Sequence, residues 1–207
     1  MEENYTEQEY KGSKSFASFF DIFESLIFAI ICVVIIFTFF ARLSIVEGPS
    51  MTPTLIDGEY LVIGNLFGTY TPKDGDIVVI HGNFEYSVGA TNAKRTYKLD
   101  KPIVKRVIAT SGQTLKIDYN TMSVYVDGNL LEEDYINTFT ARSLHIFMKD
   151  KIKDGVFEVV VPEGKAFVMG DNRDDSTDSR IIGFIDYDLI VGKVILRVLP
   201  INKFGKV

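Results

Sequence analysis

A long apolar segment near the amino terminus constrains this chain more than any other feature of its sequence. The segment runs from Phe16 to Ala41 and is charged only at Asp21 and Glu24. From Ser25 onward it carries no charge, and in helical geometry that part alone covers roughly 25 Å. With the turn before it, the segment reaches the roughly 30 Å of a membrane's hydrocarbon core. The sequence therefore predicts one transmembrane helix over residues 16–41.

A cleaved secretory signal and a buried core helix are the two alternatives for this segment. The apolar run is longer than that of a secretory signal, and Arg42-Leu43-Ser44 follows it instead of a small-x-small cleavage site. A core helix would carry polar residues at helical spacing, whereas Thr38 is the only polar residue between Leu26 and Ala41. A retained membrane anchor is therefore expected.

The charges that flank the segment predict its orientation. Lys11 and Lys14 precede it, Arg42 follows it, and the next basic residue is Lys73. Because positively charged flanks stay on the cytoplasmic side of a membrane, residues 1–15 are expected to form a cytoplasmic tail. Residues 42–207 are then expected to form an extracytoplasmic domain, tethered to the cell (plasma) membrane by a single pass.

Composition limits what this domain can be. Its length suits a single domain with its own hydrophobic core. The formal net charge of -6 argues against nucleic acid as a partner. The single cysteine, Cys32, lies inside the predicted span, so neither a disulfide framework nor a thiolate metal site is expected.

Short segments rich in Val, Ile and Tyr recur through the domain and predict β-strands. Turn residues separate them, and Asp127-Gly128 after Val124-Tyr125-Val126 is typical of a tight hairpin. No long amphipathic helix follows the span, so we expect a mainly β domain, an antiparallel sheet that is open or barrel-like. Two polar stretches, 82–101 and 130–155, are interpreted as possible insertions between strands, most simply as surface loops. The predicted strands are 60–63, 76–80, 103–108, 114–119, 123–126, 157–161, 166–169 and 189–199.

Ser50 is the first candidate for catalysis. It lies in Gly48-Pro49-Ser50-Met51-Thr52-Pro53-Thr54, shortly after the span, where a nucleophile would meet substrates at the membrane surface. A serine hydroxyl needs a base beside it. The two histidines, His81 and His145, do not lie in motif-like settings. A Ser/His/Asp triad is possible in principle, but nothing in the sequence favours it.

Lys105 is the better candidate for the base. It interrupts the apolar segment Pro102-Ile103-Val104-Lys105-Arg106-Val107-Ile108-Ala109, where a cation is out of place without a role or a partner. If its face of the strand is buried, desolvation disfavours the ammonium form, and lowering a lysine pKa from about 10.4 to about 8 corresponds to about 3 kcal/mol. On the strand pattern alone, a charge that faces water at a strand edge fits slightly better.

A dense polar loop, Gly170 to Arg180, follows the predicted strand 166–169. An EF-hand calcium loop is its obvious alternative, but counted from Asp174 the sixth position is Ser179 and the twelfth is Ile185, where that loop needs Gly and Glu. Two arginines among four aspartates suit an internal ion-pair network better than a cation cage. No metal site is predicted.

Together these segments resemble the ordered motifs of bacterial type I signal peptidases, in particular the small Gram-positive-type members with one anchor. The resemblance implies a serine endopeptidase that removes signal peptides from exported pre-proteins after small-x-small (Ala-x-Ala-like) sites. It also implies a Ser/Lys dyad, an acyl-enzyme and no cofactor. The matching motifs are Gly48-Pro49-Ser50-Met51-Thr52-Pro53-Thr54-Leu55, Gly75-Asp76-Ile77-Val78, Lys105-Arg106-Val107-Ile108, and Gly170-Asp171-Asn172-Arg173 to Asp178-Ser179-Arg180.

The resemblance also implies roles for individual residues. Ser50 would be the nucleophile and Lys105 the general base, with Ser176 orienting the lysine ammonium. Asp178 and Arg180 would hold the polar loop in place. The full supporting set is Ser176, Asp178, Arg180, Gly48, Met51 and Arg106, and Asp171 and Arg173 are expected to be structural.

Gly48 is a departure from part of this family, in which a serine hydroxyl at that position helps to stabilise the oxyanion. Pro49 has no N–H, so the N–H of Ser50 is the only local donor that the sequence identifies. The Gly48 backbone or a water is expected to supply the second donor.

Other functions remain open on the sequence. A self-cleaving repressor-type protease has a similar β domain but no span, and a penicillin-recognising enzyme would need Ser-x-x-Lys and Lys-Thr-Gly motifs that this chain lacks. A non-catalytic membrane-tethered binding paralogue and a dedicated peptidase for one client class are the two remaining alternatives.

Overall fold

The computed structural model describes residues 2–39, 41–64, 70–88, 95–136 and 151–207. The chain divides into two compact units, Met1–Ala41 and Arg42–Val207. Each unit is described by itself below.

The first unit is a single helix, α1, over Glu2–Phe39. The helix begins well before the predicted span, because residues 2–15 are rich in good helix formers and contain no proline. Within α1, the window Phe19–Ile36 has a mean hydropathy of 2.6 and is not buried inside the protein. Its length and composition suffice for crossing a membrane.

After α1, the described residues form short antiparallel strands, one short α-helix, α2 (Ser179–Ile182), and two 3-10 helical turns, Tyr187–Leu189 and Ile201–Lys203. The strands are β1 (Ala41–Ile45), β2 (Tyr60–Gly64), β3 (Ile77–Ile80), β4 (Phe84–Val88), β5 (Arg95–Leu99), β6 (Ile103–Ala109), β7 (Thr114–Asp118), β8 (Ser123–Val126), β9 (Asn129–Leu130), β10 (Ile152–Lys153), β11 (Val156–Val160), β12 (Lys165–Met169), β13 (Ile185–Asp186) and β14 (Ile190–Leu199). The predicted fold class, a mainly β antiparallel domain preceded by an apolar helix, is confirmed.

The strands form two sheets and a separate hairpin. The larger sheet has the order β1-β2-β14-β3-β6-β12-β13, the smaller one has the order β10-β11-β7-β8-β9, and β4 pairs with β5. The carboxy-terminal strand β14 lies between β2 and β3 and pairs antiparallel with both. It therefore joins the edge strand β1 and its neighbour β2 to the rest of the larger sheet.

Strand β6 lies at the centre of the hydrophobic core. It pairs with β3 on one side and with β12 on the other. Val104, Val107 and Ile108 of this strand pack into three different clusters of buried apolar side chains. Because both faces of β6 are covered, the side chain of Lys105 is buried.

The two polar stretches differ from simple loops. Residues 84–88 and 95–99 pair as the β4–β5 hairpin, with Tyr86 opposite Tyr97. Aromatic residues at alternate positions favour a strand there in spite of the polar neighbours. The second stretch contains β9 and β10 near its ends, whereas 137–150, with His145, lies outside the described residues.

Candidate active site

Ser50 lies in a tight turn between β1 and β2. The N–H of Thr52 donates to the Pro49 carbonyl at 3.0 Å, and the N–H of Leu55 donates to the Met51 carbonyl at 2.9 Å. The side chains of Met51 and Leu55 are buried in the core, so packing anchors the turn on both sides of its apex. Ser50 itself stays half-buried and accessible. Met51, one of the supporting residues that the resemblance implies, thus packs in the core at this position.

Lys105 reaches this serine from β6. Its Nζ lies 2.7 Å from Ser50 Oγ and donates a second hydrogen bond to the carbonyl of Val104, also at 2.7 Å. Lys105 is only 2% exposed. Burial lowers the pKa of Lys105 to about 8, although the carboxylates of Asp178 and Asp171 act in the opposite direction. The lysine face of the strand is thus buried, not water-facing.

The loop that begins at Gly170 packs directly against the serine turn. The Asn172 N–H donates to the Ser50 carbonyl at 3.0 Å, and the Asn172 side chain donates to the Pro49 carbonyl at 3.2 Å. A Cβ at Gly170 would lie 2.4 Å from the Ser50 carbonyl oxygen and 2.3 Å from Ser176 Oγ. Only glycine allows the two backbones to approach this closely.

Ser176 does not make the hydrogen bond expected of it. Its buried Oγ forms no hydrogen bond with Lys105 in the described part of the chain, and Lys105 donates to the carbonyl of Val104 instead. The Ser176 hydroxyl lies beside the Asp178 carboxylate and helps to lower the pKa of that carboxyl. The role of Ser176 in orienting the lysine stays a prediction.

Asp178 and Arg180 form a buried ion pair below the loop. The guanidinium donates from Nε to Asp178 Oδ1 at 2.9 Å and from Nη2 to Oδ2 at 2.8 Å, and the N–H of Gly170 donates to Oδ2 at 2.9 Å. Burial alone would raise the pKa of Asp178, but Arg180 and these donors lower it to about 2. Asp178 also caps the amino terminus of α2. The pair therefore fixes the start and the end of the polar loop to each other.

A second ion pair, Arg106 with Asp171, connects the four sequence motifs. Arg106 binds the Asp171 carboxylate through Nε at 2.8 Å and Nη2 at 2.7 Å, and its Nη1 donates to the Gly75 carbonyl at 3.1 Å. Asp171 also accepts the hydroxyl of Thr54 at 2.5 Å. The segments that carry Ser50, Gly75, Lys105 and Gly170 thus meet at one place.

Asp76, in the Gly75-Asp76 motif, holds the turn that precedes β3. Its buried carboxylate accepts from the Tyr70 hydroxyl, from Lys193 Nζ and from the N–H of Lys73. Its carbonyl accepts the N–H of Val107 at 2.8 Å. This turn is therefore fastened to β6 two residues after Lys105.

Glu133 and Tyr135 are part of this network, although nothing in the sequence singled them out. Glu133 forms a bidentate pair with the buried Arg173 and accepts the Tyr135 hydroxyl at 3.0 Å. The Arg106 guanidinium lies 3.9 Å from the centroid of the Tyr135 ring. The sequence offered only an indirect signal for these two residues. A buried arginine needs a counter-charge, and here the counter-charge comes from a stretch that the sequence pattern indicated as a loop.

Histidines and metal ligands do not contribute to the described site. His81 is exposed after β3, and His145 lies outside the described residues. Among the residues that the structure describes, no group of three or more His, Cys, Asp and Glu side chains is placed to hold a metal ion. The chemistry available here is that of a serine beside a buried lysine.

A groove of about 450 Å³ lies next to the edge strand β1. Residues 43–45 form one part of its lining, and Tyr60, Val79 and Val104 form an apolar part. The exposed Glu47 and Lys101 also line it and form a 2.6 Å ion pair. Because β1 is at the end of the sheet order, one of its sides is open to a further strand.

Known proteins resemble this chain over both of its units. Residues 19–199 match the family described as signal peptidase, peptidase S26. The chain is 33% identical over 182 residues to a probable signal peptidase I-1 of Synechocystis sp., which covers 87% of this chain and 83% of that protein. It is 35% identical over 175 residues to signal peptidase IB of Staphylococcus aureus, with 77% and 78% covered. A crystal structure of a signal peptidase I from Enterococcus faecalis aligns with a TM-score of 0.38 and 24% identity, over 60% of this chain and 97% of that one.

Proposed function

Since the chain belongs to the signal peptidase family, peptidase S26, we propose that it is a membrane-anchored signal peptidase I that cuts with a dyad of Ser50 and Lys105. Membership of the family makes the chain a serine endopeptidase of the signal peptidase I type. The proposal adds the identity of the catalytic pair, an acyl-enzyme, and cleavage of exported pre-proteins after small-x-small sites.

The 2.7 Å separation of Lys105 Nζ from Ser50 Oγ is the observation that carries the proposal. A lysine ammonium donates hydrogen bonds and cannot accept a proton, whereas a neutral amine can. Burial lowers the pKa of Lys105 to about 8, so a useful fraction of the amine is neutral near neutral pH. Distance and protonation state together suit Lys105 to the role of general base.

The reaction then needs two steps. In the first, neutral Lys105 accepts the Ser50 proton while Oγ bonds to the carbonyl carbon of the scissile peptide. The tetrahedral intermediate collapses when Lys105 returns this proton to the leaving nitrogen, the C–N bond breaks, and an acyl ester on Ser50 remains. In the second step a water gives its proton to Lys105 and adds to the ester carbon. The bond to Oγ breaks, and Ser50 recovers a proton from Lys105.

The oxyanion of each intermediate needs donors at the serine turn. The N–H of Ser50 is the local donor that we assign, because Pro49 has none. The N–H of Gly48, the other expected source, already donates to Asp57 Oδ1 at 2.7 Å. A water is therefore the expected second donor.

The groove beside β1 suits an extended substrate. A peptide that adds to the free side of β1 gains main-chain hydrogen bonds regardless of its sequence. Its alternate side chains would then point towards the apolar lining that includes Val79 and Val104. Shallow pockets that admit alanine and exclude larger side chains would explain a preference for small residues before the cut.

The helix α1 supplies the membrane context. The apolar window Phe19–Ile36 is suited to anchoring the enzyme in a bilayer. We further propose that Lys11 and Lys14 keep the amino terminus in the cytoplasm, which places the catalytic domain outside the cytoplasm. There it meets pre-proteins that their own signal peptides hold in the same membrane.

Cleavage of a defined precursor tests this function. The purified full-length protein in detergent is incubated with a precursor that carries an Ala-x-Ala site, and the products are mapped by mass. We expect one cut after the second alanine for the wild type and none for Ser50→Ala. Equal cleavage by both proteins would exclude Ser50 as nucleophile. A binding paralogue would give no product, and a dedicated peptidase would leave this generic precursor intact.

The pH dependence of cleavage should follow the protonation of Lys105. The pKa of Lys105 is about 8, so at lower pH the side chain is mostly the ammonium and cannot act as a base. The value of kcat/KM is therefore expected to rise about tenfold per pH unit up to about pH 7 and to level off above about pH 8. Initial rates between pH 5.5 and 10 measure this. A profile that stays flat below pH 7 would contradict a lysine base.

A further inference from the structure

The main chain immediately before Ser50 is held by the side chain of Asp57. The N–H of Gly48 donates to Asp57 Oδ1 at 2.7 Å, across the turn that carries the nucleophile. We propose that Asp57 is a positioning residue for catalysis, which fixes the backbone on the amino-terminal side of Ser50. This inference rests on the proposed function.

The Pro49 carbonyl accepts from Thr52 and Asn172, whereas Gly48 has few other means of fixing its conformation. Gly48 has a φ of +85°, which glycine adopts readily because it has no side chain. For the same reason its backbone has more conformational freedom than that of any other residue. Pro49 has no N–H. The two residues therefore offer a single backbone donor between them, and that donor is bound to Asp57.

Asp57 is itself held in place from both sides. The N–H of Gly58 donates to the Val46 carbonyl, and the N–H of Val46 donates to the Glu59 carbonyl, both at 2.9 Å. The buried Glu59 carboxylate pairs with Arg197, whose Nη1 also donates to the Thr54 carbonyl at 3.2 Å. The exposed Asp57 side chain thus projects from a main chain that these contacts hold in place.

The hydrogen bond from Gly48 to Asp57 holds a part of the turn that has no other backbone donor. On the amino-terminal side the backbone contacts of the turn end at Val46, and on the carboxy-terminal side they resume at Pro49 and Ser50, which accept from Thr52 and Asn172. The Asp57 bond lies between these two sets. Without it, rotation at Gly48 would move the Ser50 N–H and Oγ relative to Lys105.

The chemistry of Asp57 fits a geometric role better than an electrostatic one. A carboxylate close to the place where an oxyanion develops opposes that negative charge. Its bond also removes the Gly48 N–H from the possible oxyanion donors. Asparagine offers the same acceptor oxygen without the charge, so a geometric role predicts that Asp57→Asn works and Asp57→Ala does not.

Steady-state cleavage of the Ala-x-Ala precursor by the full-length chain tests this. For Asp57→Ala we expect kcat to fall about 10- to 100-fold, as for a small misplacement of reacting groups, with KM within about twofold of wild type. Asp57→Asn should stay within about threefold of wild type. Asp118→Ala is the matched control, since Asp118 also accepts a backbone N–H, that of Asn120 at 2.9 Å, in a turn outside the site. It should leave kcat unchanged.

Several results would overturn the inference. One is a wild-type or higher kcat for Asp57→Ala, and a higher value would mean that the released Gly48 N–H serves the oxyanion. Another is an equal loss in Asp57→Asn and Asp57→Ala. A third is a lower kcat of Asp57→Ala that is accompanied by a lower melting temperature, while the melting temperature of Asp118→Ala stays at that of the wild type. Failure of the wild type to cut would instead count against the proposed function.

Discussion

Replacing Lys105 with methionine is expected to reduce precursor cleavage by about 10⁴-fold while the protein remains folded. Methionine fills nearly the same space but cannot accept the Ser50 proton, so the loss is that of a general base acting directly on a nucleophile. Steady-state rates at pH 8 and above measure the effect. Lys105→Ala should be equally inactive, as should Ser50→Ala.

The same substitution is expected to stabilise the fold. The folded-state pKa of Lys105 lies at about 8, below the 10.5 of a free lysine. The folded state therefore disfavours the ammonium form of Lys105. This loss of stability is absent above about pH 10.5 and complete below about pH 8. It amounts to about 3 kcal/mol, against which the two lost hydrogen bonds, to Val104 and to Ser50, cost about 1 kcal/mol each.

Denaturant unfolding at pH 7 should show a gain of about 1 kcal/mol for Lys105→Met. Lys116→Met, in strand β7, is the matched control, since Lys116 is a strand lysine outside the site that lies over the Tyr125 ring. It should change neither the cleavage rate nor the stability by a comparable amount. Normal cleavage by Lys105→Met would refute the dyad, and a large loss of stability would refute the account of the buried charge.

Asp178→Ala is expected to have the largest effect on stability. It leaves the buried Arg180 guanidinium without its carboxylate and leaves the Gly170 N–H without an acceptor. Breaking a buried pair from one side typically costs about 3 to 5 kcal/mol, which is a large share of the total stability of a domain. Activity should fall as well, because the loop that Asp178 closes contacts Ser50 through Asn172.

Thermal unfolding of Asp178→Ala measures this loss. Asp186→Ala is the matched control, because Asp186 forms an exposed pair with Lys165 at 2.6 Å. Exposed pairs contribute little, so the control should unfold within a few degrees of the wild type. Equal melting temperatures for the two variants would contradict a structural role for the buried pair.

Most of the fold class could be predicted because its signals are local. Alternation, turn residues and a long apolar run each depend on neighbours in the sequence, and they predict the strands and α1. The β4–β5 hairpin was less visible, since Phe84 and Tyr86 are surrounded by polar residues. Helix α1 begins at Glu2, before the predicted span, because the residues of the predicted tail also favour a helix.

The site could be predicted only as far as its motifs extend. The strand pattern alone slightly favoured a water-facing Lys105, because a central strand that is covered on both faces has no alternation to interpret. Asp57 and Glu133 could not be identified, since their importance depends on chain segments that approach only in the folded state. The second oxyanion donor was expected partly at Gly48, and the bond to Asp57 shows that its N–H is engaged.

The position of β14 has a consequence for the order in which the enzyme becomes competent. In the larger sheet, Ser50 lies between β1 and β2, Lys105 lies on β6, and β14 separates these two groups of strands. Synthesis proceeds from the amino terminus, so β14 is made after both groups of strands. Before it pairs, the serine turn can meet β6 through the Gly170 loop, since Asn172 binds the Ser50 carbonyl and Asp171 joins Thr54 to Arg106. Pairing of β14 with β2 and β3 is thus expected to be the late folding step that fixes Ser50 beside Lys105 in one continuous sheet.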